Sequence, residues 1–412
     1  MKRADGLRRV VVTGFGMVTP IGLDSNETWA SMKQAKCGVS RIENFPLEDL
    51  YIHIAGEIKG FDPATHVTSK KIQYGERYSW FAGRAAEEAW RMSGLPTPYN
   101  NPYRSCCIIG SGAGGYSTVE TAYRDLFINN KRATHPLTLL RIIGSSASAH
   151  VGIEYGIKGP TFATCSACST ATHAIGITYD YIRQGLVDVG VAGASEAVLT
   201  YGSMRTWQAM RVLSPDGCFP FSKRRNGTVL AEGSGILVLE EYEHAKRRGA
   251  KILAELKGYG MSSDSKDMVN PDIDGPRSAM QFALDDAGLD PSEIDYLNAH
   301  GTATALNDVN ETNAIKDVFG DHAYKMAISS TKSMHGHLLG AGGGVEAGVC
   351  IKAINEGWVP PTIGYTEPDP KCDLDYVPNE GRSMRVRYTM SNSFAFGGLN
   401  AVLVFGPAPE AA

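Results

Sequence analysis

The feature that most limits how this chain can fold is an echo of itself. Val10-Val11-Val12-Thr13-Gly14-Phe15-Gly16-Met17 returns as Ala254-Glu255-Leu256-Lys257-Gly258-Tyr259-Gly260-Met261. Each copy reads as a short strand ending in Gly-aromatic-Gly-Met, and a similar series follows each. A helical stretch (Phe81–Met92; Ala279–Ala287) leads to a strand (Cys106–Ile109; Ile294–Asn298), then to a turn rich in glycine or threonine. A second strand then ends at a reactive-looking turn with a long helix behind it. A repeat this long denotes duplicated domains rather than a solenoid. The reading is an N-terminal half over 1–250 and a C-terminal half over 251–412. Strands alternating with helices predict a mostly parallel sheet with helices on its faces. Sites in such sheets gather at the carboxyl ends of strands, so the two reactive turns are expected to face one pocket.

A chain of 412 residues can build two fused cores. Its net charge of −4 gives no bulk attraction to nucleic acid. Eight cysteines in this length are no disulfide scaffold and suggest a buried, reduced set. The basic start Met1-Lys2-Arg3 is followed by an apolar stretch broken at Thr13, Gly14, Gly16 and Pro20, which reads as a first strand and not a signal peptide. No apolar run is long enough for a membrane span, and the cytoplasm is the expected location.

Cys168 stands out chemically. Residues 160–164 are extended and apolar. From Ser169 the pattern turns helical, with Ala171, Ala174, Ile175, Thr178, Tyr181 and Ile182 on one face and Gly185 as a stop. The thiol thus lies where a strand hands over to a helix N-terminus, a place expected to ease loss of its proton. A thiolate is the usual nucleophile for moving acyl groups.

In the second half, His300 closes a strand and opens His300-Gly301-Thr302-Ala303-Thr304. Asp308 and Glu311 read as a capping box for the helix that ends at Gly320. Lys332 and His337 follow the next strand. Behind them a helix carries Gly342, Gly343, Gly344 and Gly348, so something must approach its backbone closely. Glu346, inside that apolar helix, needs a partner, with Lys332 or a backbone donor as candidates. Three literal motifs are discounted. Cys165-x-x-Cys168 has no second pair, and Cys165 reads as a small core residue. Gly110–Gly115 matches G-x-G-x-x-G but lacks the acidic residue a dinucleotide site needs. His335, His337, His300 and Glu346 could hold a metal, but a lysine in the same turn and a nucleophilic cysteine suit organic catalysis better, so no metal is expected.

Cys168, His300, Lys332, His337 and Glu346, in this order and setting, resemble the β-ketoacyl-acyl carrier protein synthases, condensing enzymes of the thiolase superfamily. The motifs are Asn298-Ala299-His300-Gly301-Thr302, Ser330-Thr331-Lys332-Ser333, Gly336-His337-Leu338-Leu339-Gly340-Ala341 and Asn392-Ser393-Phe394-Ala395-Phe396-Gly397-Gly398-Leu399-Asn400. The resemblance covers almost the whole chain and is closest to the elongating type II synthases. It implies a duplicated five-layer α-β-α-β-α fold and a homodimer. It implies an acyltransferase that joins an acyl thioester to malonyl-acyl carrier protein with loss of carbon dioxide. Cys168 would carry the acyl group, and His300 and His337 would offer ring N–H groups to the enolate. Lys332 and Glu346 would be the supporting pair, and the backbone N–H groups of Cys168 and Phe396 the oxyanion hole. Thr302 and Thr304 resemble contacts to the pantetheine arm, and Phe394 and Phe396 the gate of the acyl pocket. Ala113 falls where a bulkier residue can plug the acyl channel. Lys70, Lys71, Arg205 and Arg211 are candidate docking charges for an acidic carrier protein. No cofactor is implied beyond the carrier's phosphopantetheine.

The departures lie away from the reacting atoms. Ala303 and Ala305 stand in a turn where the family usually has glycine and proline, Ala395 where glycine is usual, Leu399 and His335 where threonine is common. They point to a specialised acyl substrate. A thiolase would need a second cysteine within 392–400, which holds none. A non-catalytic, chain-length-shaping partner subunit would typically lack the cysteine.

Overall fold

The computed structural model describes residues 6–66 and 69–409, with side chains described outside 66–71. Its main sheet comprises β1 (Val10–Val18), β2 (Ser105–Gly110), β3 (Thr161–Phe162), β4 (Val189–Glu196), β5 (Gly233–Glu241), β6 (Ala254–Ser263), β7 (Ile294–Asn298), β8 (Ala327–Ser329), β9 (Tyr388–Ala395) and β10 (Leu399–Gly406). The order is β8-β7-β9-β10-β6-β1-β5-β4-β2-β3. Its outer and inner positions match from either end, with β6 answering β1 and β8 answering β3. Within this sheet the halves join where Val10–Val12 pair with Ala254–Leu256.

The principal helices are α1 (Arg77–Ser93), α2 (Ser146–Tyr155), α3 (Thr170–Arg183), α4 (Asp274–Ala287), α5 (Asn307–Phe319) and α6 (Gly342–Glu356). The outer face of the first half is covered by α1 and α2, and that of the second by α4 and α5. Between the halves, α3 and α6 pack against strands of both. This is the duplicated five-layer architecture. The expectation of a mostly parallel sheet is corrected. In each half the three outermost strands are parallel, whereas β5, β1 and their counterparts β10, β6 run antiparallel to their neighbours. The tight β9–β10 connection cannot support a parallel pair, which requires a crossover.

The echoed Gly-aromatic-Gly motif has a packing cause. A Cβ added at Gly14 or Gly16 would stand 2.0 Å from the carbonyl oxygen of Ala89 or Ala85 on α1. At Gly258 and Gly260 it would stand 2.3 and 2.1 Å from those of Ala283 and Ala279 on α4. The glycines let an outer helix lie directly on the strand. Alternation turns the intervening aromatic to the central layer. There Phe15 meets Gly348 of α6, while Tyr259 presses on Gly176 of α3. Each half thus buries an aromatic ring against the other half's central helix, which stabilises the joint by roughly 1.5–3 kcal/mol per ring. No helix among the described residues is long and apolar enough to cross a membrane.

Candidate functional site

The carboxyl ends of the parallel strands from both halves converge on one cleft of about 290 Å³. From β3 the chain enters a short turn, Ala167–Ser169, and then α3. Ala167 has φ 47°, a left-handed conformation rare without glycine, and this sharp elbow presents Cys168 to the cleft. His300 follows β7. Lys332 and His337 follow β8, the counterpart of β3. Phe394 lies near the end of β9, and Phe396 belongs to the turn between β9 and β10.

His337 is fixed by its backbone. Its N–H donates to Val229 O at 2.7 Å and its carbonyl accepts from Ala231 N at 2.9 Å. The Leu339 amide donates to its Nδ1 at 3.3 Å. This assigns the ring proton to Nε2, which lies 3.1 Å from Cys168 Sγ. The His300 ring stands edge-on to His337, with centroids 5.4 Å apart and planes at 83°, and it also abuts Phe394. Burial first, and Lys332 second, hold both imidazoles well below their ordinary range, so both are neutral at physiological pH. Lys332 and Glu346 form a direct ion pair, each 1% exposed. Lys332 is therefore the partner that Glu346 required.

Three expectations are corrected here. Burial pushes the Cys168 thiol up to about 12, with Lys332 as the opposing influence. Loss of water outweighs the helix N-terminus, so the residue rests as a thiol. Cys165 is exposed and not a core residue, as is Cys37, while the other six cysteines are buried. Asp308 and Glu311 do not cap α5. Glu311 accepts from His300 N at 2.8 Å and Gly301 N at 2.7 Å, with Asn392 Nδ2 at 3.2 Å. Asp308 accepts from Phe221 N and Ala303 N. Both acids shape the His300 turn instead, and they hold Ala303 at φ 65°, where glycine would be unstrained. The His335 ring, part of the discounted metal motif, turns its Nδ1 to Gly336 O. Among the described residues, the potential ligand atoms that come together are those of Cys168, His300 and His337, all within 4.8 Å of one another.

Thr302, Thr304, Phe394, Phe396 and Arg211 line the cleft, and the two threonine hydroxyls are 3.0 Å apart. Phe396 lies against Trp207 with ring centroids 6.0 Å apart. Ala113 packs in the apolar cluster that contains Cys168. Arg205 is exposed and donates to Asp49 O. The side chains of Lys70 and Lys71 lie outside the described residues. Sequence reading missed Glu196. This buried acid at the end of β4 accepts from Ser111 Oγ, Gly112 N and Ala113 N, and from Gly340 N of the other half. Donors of the Gly110–Gly115 loop are thus taken up by an internal carboxylate. A lone acid closing an otherwise apolar strand was the available signal.

The chain matches the model described as Beta-ketoacyl synthase, N-terminal domain, over residues 7–245, and that described as Beta-ketoacyl synthase, C-terminal domain, over 253–366. It is 46% identical over 398 residues to Nodulation protein E of Rhizobium meliloti (strain 1021), covering 97% of this chain and 99% of that protein. It is 42% identical over 405 residues to 3-oxoacyl-[acyl-carrier-protein] synthase 2 of Staphylococcus aureus, covering 97% and 98%. Among solved structures, the ishigamide ketosynthase/chain length factor aligns with a TM-score of 0.93 at 34% identity, over 98% of this chain and 100% of that one. A type II PKS acyl-carrier protein in complex with its ketosynthase bound to the hexaketide aligns with a TM-score of 0.90 at 35% identity, over 98% and 100%.

Proposed function

Because the chain belongs to the β-ketoacyl synthase family, we propose that it condenses an acyl thioester with malonyl-acyl carrier protein, with Cys168 and the two imidazoles as the reacting centre. The observation that carries the reading is the Cys168 Sγ–His337 Nε2 approach of 3.1 Å beside the edge-on His300 ring.

In the first stage Cys168 Sγ attacks the acyl carbonyl. The N–H groups of Cys168 and Phe396 hold the oxyanion, and the carrier's pantetheine leaves as its thiol with the proton from Cys168. In the second stage malonyl thioester loses carbon dioxide. Its enolate oxygen accepts from the Nε2–H of His337 and a ring N–H of His300. Neutral rings serve because they donate without requiring a charge in a buried site. The enolate carbon attacks the acyl-Cys168 carbonyl. The β-ketoacyl thioester departs two carbons longer, and the released Cys168 sulfur takes up a proton. Lys332 and Glu346 support the pair of rings from behind, and Thr302 and Thr304 contact the pantetheine arm. No resident metal or cofactor takes part.

The acyl substrate is specialised. This is supported by Ala305 and Ala395 lining the cleft, by Ala303 and Leu399 next to its lining residues, and by a likeness to Nodulation protein E at least as high as that to 3-oxoacyl-[acyl-carrier-protein] synthase 2. A carrier protein docks near Arg205 and Arg211, which are exposed, Arg211 at the cleft. A second copy of the chain covers the exposed apolar side chains of Tyr123, Phe127 and Leu139, and the dimer works in the cytoplasm. Intact-mass analysis with defined acyl-carrier thioesters tests the reading. An acyl adduct is expected on the wild type and none on Cys168→Ala, whereas Cys168→Gln still decarboxylates malonyl-carrier thioester. An adduct that persists in Cys168→Ala refutes it. A long-chain profile like that of ordinary fatty acid synthesis counts against specialisation.

A further inference from the structure

Ser169 follows the nucleophile and is fully buried, yet its hydroxyl does not cap α3. It reaches the carbonyl oxygens of Ser393 at 2.9 Å and Leu399 at 2.6 Å. In the β9–β10 hairpin, Ser393 pairs with Ala401 and Ala395 with Leu399. The two carbonyls therefore flank the turn that carries Phe396, and one hydroxyl proton is shared between them. From the opposite side the turn is held by Gly397 N donating to Met268 O and Asp264 N donating to Gly398 O, each at 2.9 Å. One helical turn beyond Ser169, Thr172 Oγ1 meets Ser393 Oγ at 2.7 Å, a bond to the strand's side chain only.

We propose that Ser169 is a positioning residue whose hydroxyl sets the spacing between the Cys168 and Phe396 N–H groups, so that acyl transfer depends on it and malonyl decarboxylation does not. The inference rests on the oxyanion-hole reading above. Acylation needs both donors aimed at one oxygen, and they come from segments far apart in sequence. Ser169 spans that gap with a single side chain. Decarboxylation uses the imidazole donors, which hang on other strands.

Loss of a whole oxyanion donor slows acyl transfer by about 10²–10³-fold. A displaced donor loses part of that, so Ser169→Ala is expected to slow acyl-Cys168 formation by about 10–100-fold. The rate is followed by quenched intact mass with an acyl-carrier thioester. Ser169→Thr, which keeps the hydroxyl, should recover most of the lost rate. Thr172→Val should acylate within about threefold of wild type. Carbon dioxide release from malonyl-carrier thioester should be equal in Cys168→Gln and in Cys168→Gln/Ser169→Ala. The proposal is overturned if Ser169→Ala acylates at the wild-type rate. It is also overturned if carbon dioxide release falls in parallel, or if Thr172→Val slows acylation as much. Should Ser169→Ala not fold, a folded Ser169→Thr that acylates more than tenfold slower overturns it equally. A wild type that forms no acyl-Cys168 refutes the underlying reading and this proposal with it, whereas the other outcomes bear on Ser169 alone.

Discussion

Replacing Lys332 with methionine removes one charge of a pair that is almost wholly shielded from water, since each partner is 1% exposed. The methionine keeps most of the volume, so the effect is electrostatic. Breaking a buried pair by deleting one partner costs about 3–5 kcal/mol, because the other charge is left uncompensated. Unfolding entropy of about 2.1 cal/mol/K per residue over this length gives about 0.87 kcal/mol/K, so that loss lowers Tm by about 3.5–6 °C. The loss depends on pH. Burial already raises the Glu346 carboxyl above its ordinary range, and Lys332 is the influence that opposes it. Without Lys332 the carboxyl rises further and binds a proton that the unfolded chain has released. A group raised on folding loses stability as pH climbs from its unfolded towards its folded value, by about 1.4 kcal/mol per unit. Lys332→Met should therefore be less destabilised at pH 5 than at pH 8. A double variant, Lys332→Met/Glu346→Leu, should lose less than the sum of the singles. Calorimetry across pH on the four proteins decides this. A Tm for Lys332→Met within 1 °C of wild type at pH 8, or strict additivity, would refute the reasoning.

Because both imidazoles are held well below their ordinary range, carbon dioxide release by Cys168→Gln should be flat from about pH 6.5 to 8.5; a bell centred near 6.5 would contradict it. The same burial makes stability rise with pH up to about the unfolded histidine value of 6.5 and level off above it, measurable by denaturant titration. With the Cys168 thiol near 12, its alkylation by iodoacetamide, mapped by peptide mass, should rise about tenfold per pH unit from pH 6 to 10; a plateau with a midpoint below the free-thiol value of about 8.5 would mean that the helix N-terminus wins after all. Gly258→Val should destabilise severely or abolish soluble expression, because its Cβ would stand 2.3 Å from the Ala283 carbonyl oxygen; a variant with wild-type Tm would refute the close-packing account. Elemental analysis of purified protein should find far less than one zinc per chain, although Cys168, His300 and His337 are spaced to chelate one; stoichiometric zinc would overturn the thiol mechanism.

Much was legible before any coordinates. The Gly-aromatic-Gly echo announced a duplicated fold because only glycine admits a helix backbone at 2.0–2.3 Å from the position of an added Cβ. The strand Ile294–Asn298 and the central helix behind Cys168 were both read from the sequence pattern, the helix from its apolar face and stop signal. The candidate reacting residues stood out as unusual types at the carboxyl ends of strands. Much of what sequence reasoning misread has one physical origin, namely that burial and pairing are set by contacts the local sequence does not show. Local chemistry gave Cys168 an easily lost proton, and desolvation by the other half reversed it. Local spacing made Asp308 and Glu311 a helix cap, but the His300 turn folds back and takes their oxygens. The run ending in Glu196 carries no local hint of a partner, because its donors come from Gly112, Ala113 and Gly340. Residue type and order determined which groups could react, since those depend on neighbours in the chain. The protonation, aim and spacing of those groups were decided by the tertiary structure, because each depends on atoms that only folding brings within a few ångströms.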